Sequence, residues 1–470
     1  MDLISFKQNI WKITLIVLGI VAASATAAYA QTLTTLASFD GTNGNEPDAA
    51  VVQGLDGNFY GTTVFGGALG YGSVFKMTPA GTVTTLYSFT DADDGRYPYA
   101  PLLLGFDGNF YGTTSGAGAS GLWGTVFKIT PGGTLTTLHS FERTDGSVPV
   151  AGLVQADNGT LYGTTLEGGA NEDGTIFKIS TSGNLTTLHN FDETDGASPN
   201  GALYQGTDGN FYGTTYAGGT NSIGTVFKIS PTGSFTSLHS FTGYPTDGSE
   251  PYSALVQASN GTFYGNTWEG GASDYGSIFK MSSAGVVTLE HSFDGTDGGN
   301  PASPLIQATN GNLYGTADGA GASSSGCVEG CGTIFEITPG GVFTLLETFD
   351  STNGAYPLAS LLQGTNGTLY GTTSKGGTDN DGIVLSLNVR LGPFVALLPN
   401  SGKVGATVTI LGNNLTGATA VSFNGTDATF TVVSKTEITA TVPTGATTGK
   451  IQVTTPQATL KSNVSFRVIG

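Results

Sequence analysis

The sequence predicts an all-β fold, a seven-bladed β-propeller followed by a small β-sandwich, and three observations support that prediction. A phrase of the type Asn-Phe-Tyr-Gly-Thr-Thr returns seven times, at intervals of about 50 residues, which is typical of a repeat architecture. Each copy contains alternating strand patterns separated by turn signals, and no copy has a helical period. The residues just after position 30 have the pattern of the end of a repeat.

Each repeat is predicted to form four short antiparallel strands. In the fourth copy, the apolar run 201–205 and residues 210–215 flank Asp208-Gly209, and residues 225–230 and 234–241 follow a glycine-rich loop. The Asp-Gly or Asn-Gly pair predicts a two-residue type I′ turn, in which both central residues have positive φ. The tyrosines of the seven copies are Tyr60, Tyr111, Tyr162, Tyr212, Tyr264, Tyr314 and Tyr370.

The strand patterns also predict how the repeats close into a ring. A four-stranded sheet with apolar residues on both faces must pack against its neighbours, so seven such units favour a closed propeller over a sandwich pair or an open solenoid. Residues 33–39 have the pattern of a fourth strand, whereas the seventh copy stops after its third strand at residues 383–387. We therefore expect the N-terminal strand to complete the last blade and remove the open sheet edge.

The repeat motifs carry a family resemblance over residues 31–389. They run Leu-Thr-Thr-Leu-His-Ser-Phe, Asp-Gly-x-x-Pro, Asp-Gly-Asn-Phe-Tyr-Gly-Thr-Thr, Gly-Gly and Gly-Thr-Val-Phe-Lys-Ile. This succession resembles the GloVer (Gloeo/Verruco) tandem repeat of exported bacterial proteins. The resemblance implies an exported protein, secreted or associated with the cell surface, and it implies no particular biochemical activity.

The two ends of the chain differ from the repeats. Residues 1–30 combine Lys7 and Lys12, an apolar run over 13–27 and a small-residue site ending at Ala30, which predicts a signal peptide cleaved after Ala30. We expect no transmembrane segment in the mature chain, because no second apolar run is long enough. Residues 390–470 alternate over several short strands and resemble an IPT/TIG immunoglobulin-like domain, which implies a spacer or a module beside a carbohydrate-binding part.

The net charge limits the classes of partner that the protein can bind, and the cysteine content indicates its cellular compartment. The formal net charge is −19 with only 16 Lys and Arg residues, which argues against nucleic acid as a partner. The two cysteines, Cys327 and Cys331, are expected to form a local disulfide in an exported chain rather than a metal site.

The titratable residues give no clear catalytic motif. The four histidines recur at one position of the repeat, which favours a packing role over catalysis; they are His139, His189, His239 and His291. Acidic residues are concentrated in the loops after the second and fourth strands, where they cap turns or, alternatively, bind Ca²⁺. Because no continuous calcium-binding motif is present, we predict no cofactor and no metal ligands, with calcium as the alternative.

The same loops carry aromatic residues in some copies of the repeat and not in others, which suggests a ligand site. We expect Trp123, Tyr216, Trp268 and Tyr275, together with Glu269, to contact the ligand, because flat rings beside acidic groups suit stacking on sugars. The alternative is that the tryptophans only cover blade edges.

Three functions follow from these patterns. The first is an exported, non-enzymatic protein that binds polysaccharide or a protein partner. The second is a propeller enzyme acting on glycan, which would need two carboxylates about 5–10 Å apart in a pocket on the ring axis, with Asp318, Glu329 and Glu269 as candidates. The third is a structural cell-surface protein that has no pocket.

Overall fold

Each copy of the repeat forms one four-stranded sheet in the computed structural model, which describes residues 31–321, 327 and 330–469. The predicted signal peptide lies outside the described residues. We number the sheets 1 to 7 in the order of the repeats and give their strands from first to fourth. Sheets 1 to 3 are Val52–Gln53, Phe59–Thr63, Ser73–Met77, Val83–Ser88; Leu103–Leu104, Phe110–Thr114, Thr125–Ile129, Leu135–Ser140; and Val154–Gln155, Leu161–Thr165, Thr175–Ile179, Leu185–Asn190. Sheets 4 to 6 are Tyr204–Gln205, Phe211–Thr215, Thr225–Ile229, Phe235–Ser240; Val256–Gln257, Phe263–Thr267, Ser277–Met281, Val287–Ser292; and Ile306–Gln307, Leu313–Ala317, Thr333–Ile337, Phe343–Thr348.

Sheet 7 is assembled from both ends of the repeat region. Its first three strands are Leu362–Gln363, Leu369–Thr373 and Ile383–Asn388, and Thr32–Ser38 is its fourth strand, beside Ile383–Asn388. The strand that the sequence places at the end of a repeat therefore lies where it was expected. Just after this strand, the Phe39 amide donates a hydrogen bond to the Gly382 carbonyl at 3.0 Å.

The hairpin between the first and second strands differs from the predicted two-residue turn. In sheet 1, the Gly57 amide donates to the Gly54 carbonyl at 2.9 Å, so Leu55 and Asp56 are the central residues of the turn. Only Gly57 has a left-handed conformation, with φ of 81°, whereas Asp56 does not. The loop is thus longer than a type I′ turn, because the Asp56 carboxylate accepts the Asn58 amide at 3.1 Å and holds the chain beyond the glycine.

Neighbouring sheets pack through the aromatic residues of their second strands, whose residues are fully buried. The Tyr212 ring lies 4.2 Å from the Phe263 ring of the next sheet. The same contact joins the last sheet to the first, since the Tyr370 and Phe59 centroids are 4.1 Å apart. The contacts therefore form a closed circuit, as in a propeller-like repeat fold.

Two further sheets follow the repeats. One has the order Ala396–Leu398, Thr407–Leu411, Glu437–Thr441, Phe430–Val432, and the other has the order Ser401–Gly402, Thr459–Val468, Gly449–Thr454, Ala420–Phe423, Thr426–Asp427. They share an apolar core that includes Ile410, Phe423 and Ile438. A short pair, Gly248–Ser249 with Glu269–Gly270, lies in the repeat region. Among the described residues no helix is long and apolar enough to cross a membrane.

The C-terminal sheets rest on hairpins of the repeat region. The Thr436 hydroxyl donates to the Leu55 carbonyl at 2.8 Å, and the Phe394 amide donates to the Thr365 carbonyl at 3.0 Å. Arg467 forms an ion pair with Asp157 of a third hairpin. Sheets 1, 3 and 7 therefore contact the C-terminal sheets at the same end, opposite to the loops that lead into the first strands.

Candidate functional site

A residue with left-handed backbone precedes a proline at the junction between every two sheets. The seven residues share φ between 53° and 57° and are Glu46, Tyr97, Val148, Ser198, Glu250, Asn300 and Tyr356. This conformation is uncommon outside glycine, and its repetition indicates that the junction imposes it.

Each junction is fixed by a hydrogen bond to the preceding sheet. The Tyr97 amide donates to the Tyr71 carbonyl at 3.0 Å, and the Glu46 amide donates to the Asp381 carbonyl at 3.0 Å across the closure. The following proline packs closely on a glycine of the preceding sheet, because a Cβ on Gly72 would lie 2.7 Å from Pro98 Cδ. The chain therefore enters each first strand at a fixed angle.

The residue after each proline lines a cavity of about 610 Å³ that all seven repeats share. Its volume falls within the usual range for small-ligand pockets. The seven side chains at this position are Asp48, Tyr99, Val150, Asn200, Tyr252, Ala302 and Leu358. We call this cavity the central cavity.

A second repeat position lies beside the first, directly after each second strand. Its residues are Val64, Ser115, Leu166, Tyr216, Trp268, Asp318 and Ser374. Their amides donate to the carbonyl of the left-handed residue of the same repeat, for example Tyr216 to Ser198 at 3.1 Å. Leu166 and Tyr216 line the central cavity directly.

One side of the cavity is acidic. Burial raises the pKa of Asp48 to about 7, and the charges of Glu46 and Asp318 add to this effect. Burial also raises the pKa of Asp318 to about 7. The Oδ1 atom of each of these two carboxyl groups is buried and has no hydrogen-bond partner. The nearby Lys375 ammonium is already paired with Glu46 at 2.5 Å.

The other side is aromatic. The Tyr252 ring lies 6.0 Å from the Tyr216 ring and 5.5 Å from the Trp268 ring. The Tyr216 hydroxyl donates to Glu250 at 2.7 Å, and this hydrogen bond is the main reason why the pKa of Tyr216 is raised to about 12. Burial, followed by the charges of Glu250 and Asp274, raises the pKa of Glu269.

The residues predicted to contact a ligand divide into two groups. Tyr216 lines the central cavity, and the Trp268 ring lies 5.5 Å from the ring of the lining residue Tyr252. Glu269 is not among the lining residues, although its charge helps to raise the pKa of Tyr216. Trp123 instead lies under the Arg143 guanidinium, 5.5 Å from it, and Tyr275 packs against Gly295 on a loop, with 43% of its surface exposed.

Several residues of the cavity were not predicted from the sequence, and one predicted residue lies outside the described part of the chain. Asp48, Tyr99 and Tyr252 line the cavity but were not selected from the sequence. The available signal was the residue after the recurring proline, which takes six residue types in seven repeats. Glu329 lies outside the described residues, so its position relative to Asp318 is not part of the site.

The histidines lie at the crossings between sheets. Each Nε2 atom lies 2.8–3.0 Å from an aspartate Oδ2 in the loop that follows, in the pairs His139–Asp145, His189–Asp195, His239–Asp247 and His291–Asp297. Each aspartate also accepts a backbone amide through its other oxygen, for example Asp145 from Glu142 and Asp247 from Gly248, both at 2.9 Å. These pairs hold the crossings in place and are distinct from the cavity residues.

Two further predictions concern metal and disulfide chemistry. The structure joins Cys327 and Cys331 by a disulfide in the loop before the third strand of sheet 6. The Cys331 carbonyl accepts the Tyr356 amide at 2.9 Å, so this loop supports the junction to sheet 7. Over the described ranges, no group of three or more His, Cys, Asp or Glu side chains is arranged to hold a metal ion.

Comparison of the sequence with known families assigns its repeats to one of them. The Gloeobacter/Verrucomicrobia repeat matches residues 21–158, 107–329 and 201–433. The chain belongs to this repeat family. The family matches overlap and together include the residues of all seven sheets that line the central cavity. No match was found among curated proteins.

Solved structures resemble this Gloeobacter/Verrucomicrobia repeat protein at low identity, and the first of those below has a TM-score above 0.5. The extracellular domain of a protein described as a hybrid two-component system, from B. thetaiotaomicron, has a TM-score of 0.51 and 12% identity over 82% of this chain. The chain spans 46% of the length of that domain. A fungal alcohol oxidase solved with copper has a TM-score of 0.49 and 12% identity, covering 94% of this chain and 99% of the oxidase. A protein described as a gluconolactonase has a TM-score of 0.42 and 13% identity, covering 78% and 94%. Likeness at this level concerns fold alone.

Proposed function

We propose that the protein is an exported seven-bladed β-propeller with a C-terminal immunoglobulin-like domain of the IPT/TIG type, and that it binds carbohydrate in the central cavity. The seven-bladed arrangement is supported by one four-stranded sheet per repeat and by the contact between Tyr370 and Phe59. The two C-terminal sheets around one apolar core support the sandwich.

The observation that carries the binding function is the chemistry of the cavity wall. Tyr99, Tyr216 and Tyr252 supply aromatic rings, while Asp48 supplies a carboxyl group. Sugars combine apolar ring faces with hydroxyl groups, so aromatic rings and a few hydrogen-bonding groups in one pocket suit them. Loops on a rigid frame are where recognition usually occurs.

A glycan-cleaving enzyme is the second candidate, favoured by the presence of Asp48 and Asp318. Acid and base roles need two carboxyl groups whose environments separate their pKa values. Burial raises the pKa of both carboxyl groups, but only Asp48 is among the residues that line the cavity. A glycosidase needs two carboxyl groups in the pocket, whereas aromatic rings with one lining carboxyl suit binding, which we therefore place first.

The test is a thermal melt of residues 31–470 against a panel of soluble polysaccharides. A ligand at 100 times its Kd stabilises the folded state by about 2.7 kcal/mol, which raises the Tm measurably. We expect Tyr252→Ala to abolish the shift and Trp123→Ala to keep it, because only Tyr252 lines the cavity.

Two outcomes would contradict this assignment. Equal shifts in both variants would place the ligand elsewhere, and no shift with any polysaccharide would favour the structural role. Release of reducing ends from a polysaccharide that binds, lost in Asp318→Asn, would instead favour the enzyme.

A further inference from the structure

The acidic and aromatic residues in and beside the central cavity come from different sectors of the repeat circuit. Asp48, which lines the cavity, and its neighbours Asp318 and Ser374 belong to the consecutive repeats of sheets 6, 7 and 1. Tyr216 of sheet 4 and Tyr252 of sheet 5 also line the cavity, and Trp268 packs beside Tyr252. A ligand in the cavity therefore meets the Asp48 carboxyl on one side and tyrosine rings on the other.

The acidic sector has no cation of its own to neutralise it. Neither Asp48 nor Asp318 forms an ion pair within the described chain. The charged groups that act on Asp48 are Glu46, Asp318 and Lys375, and Lys375 is held by Glu46. A buried carboxylate is costly unless a positive charge or hydrogen-bond donors reach it.

A buried hydroxyl lies beside the same carboxyl. Ser374 is only 6% exposed, and its hydrogen bond lowers the pKa of Asp48 against the larger effect of burial. The Oδ1 atoms of Asp48 and Asp318 are buried and have no hydrogen-bond partner within the described chain. Buried polar atoms are nearly always partnered in native proteins, so a ligand with hydrogen-bond donors suits these oxygens.

The two sectors are close enough for one small ligand. Tyr99, on the cavity wall, has its pKa raised by burial and then by the charge of Asp48, and the Tyr252 phenol contributes as well. Asp48, Tyr99 and Tyr252 all line this one cavity. The volume of about 610 Å³ suits an oligosaccharide of a few units at most.

We propose that the carbohydrate bound in the central cavity is an amino sugar, with its protonated amine at Asp48 and its apolar ring face on Tyr252. This inference rests on the proposed carbohydrate-binding function and names the ligand class. The ammonium supplies the donors that the unpartnered oxygens lack, and charge-assisted hydrogen bonds are stronger than neutral ones. The net charge of −19 also attracts cationic ligands to the protein.

The experiment compares two trisaccharides that differ only in their amines, by calorimetric titration of residues 31–470 at pH 7. One is a glucosamine trimer and the other is its fully N-acetylated form. We expect the free-amine trimer to bind about tenfold more tightly. We expect Asp48→Asn to remove that preference, and Ser374→Ala to weaken it. Asp379→Asn serves as the matched control, because it removes one exposed carboxylate that does not line the cavity.

Other results would overturn the inference, and they separate it from the proposed function. Equal binding of the two trimers, unchanged in Asp48→Asn but lost in Tyr252→Ala, overturns the amino-sugar assignment and leaves carbohydrate binding in place. Equally tight binding of ethanolamine, an amine without a sugar ring, overturns carbohydrate recognition. Absence of binding by both trimers overturns the amino-sugar inference, and only failure of the wider polysaccharide panel overturns the proposed function.

Discussion

Two positions of the repeat behave in opposite ways. The tyrosine of the second strand is the same in all seven copies, and it is buried in every one, for example Tyr60 and Tyr212. The residue after the proline, as at Asp48 and Tyr252, takes six residue types in seven places. The first position serves packing between sheets, and the second faces the central cavity. A regular frame can thus carry an irregular cavity wall.

The largest expected effect comes from opening the circuit that holds the invariant tyrosines. Deleting residues 31–40 removes the fourth strand of sheet 7 and the Phe39 amide bond to Gly382. We expect the cooperative melt of residues 31–470 to be lost or strongly broadened, because sheet 7 is left with an unpaired edge. An unchanged calorimetric melt would show that the closing strand does not stabilise the fold.

The next effect separates the two positions directly. Tyr212→Ala removes a buried ring that contacts Phe263 at 4.2 Å, so we expect a loss of about 3–5 kcal/mol in the free energy of unfolding. Asn200→Ala, at the cavity position of the same repeat, should change it by less than about 1 kcal/mol. Urea titrations measure both. Similar losses would mean that the cavity position also carries packing energy.

A smaller effect depends on pH. The folded pKa of Asp48, about 7, lies above the ordinary aspartate value, so ionisation of Asp48 costs stability as the pH rises through the range from about 4 to 7. Asp48→Asn should therefore raise the free energy of unfolding by about 1–3 kcal/mol at pH 8 and have little effect near pH 4. A difference that is the same at both pH values would contradict this origin.

The smallest effect concerns the hydroxyl of the invariant tyrosine. Tyr212→Phe keeps the ring but removes the hydrogen bond to Asp208, 3.0 Å long. We expect a loss of about 1 kcal/mol by urea titration. In Tyr162→Phe, used as a control, the sequence offers Asn158 rather than aspartate at the matching place, and the loss should be smaller. Equal losses would mean that the aspartate adds nothing to this bond.

Sequence analysis predicted the parts of the fold that every repeat specifies. The strand pattern located the four strands of each repeat and the closing strand at residues 32–38. It missed the hairpin geometry, because an Asp-Gly pair suits more than one turn. In sheet 1, the carboxylate of Asp56 selects the longer loop by accepting the Asn58 amide.

The candidate site was predicted only in part, for a geometric reason. Tyr216 directly follows a second strand, which places it at the cavity, whereas Trp123 precedes the glycine before a third strand and lies at the outer junction. Both are aromatic loop residues, and only their distance from the strand end separates them. The carboxyl of Asp48 had no motif of its own, because its neighbours in the cavity come from other repeats.

The left-handed junctions also bear on how such a protein can evolve. Each junction bond joins one repeat to the previous one, as from Tyr97 to Tyr71, so the residue after the proline inherits its direction from the neighbouring repeat. A point mutation at that residue changes one patch of the cavity wall and leaves the sheets intact. Gain or loss of a whole repeat by gene duplication or deletion adds or removes one residue of the cavity wall and also changes the diameter of the cavity. The chemistry and the width of the cavity can thus diverge by separate kinds of genetic change.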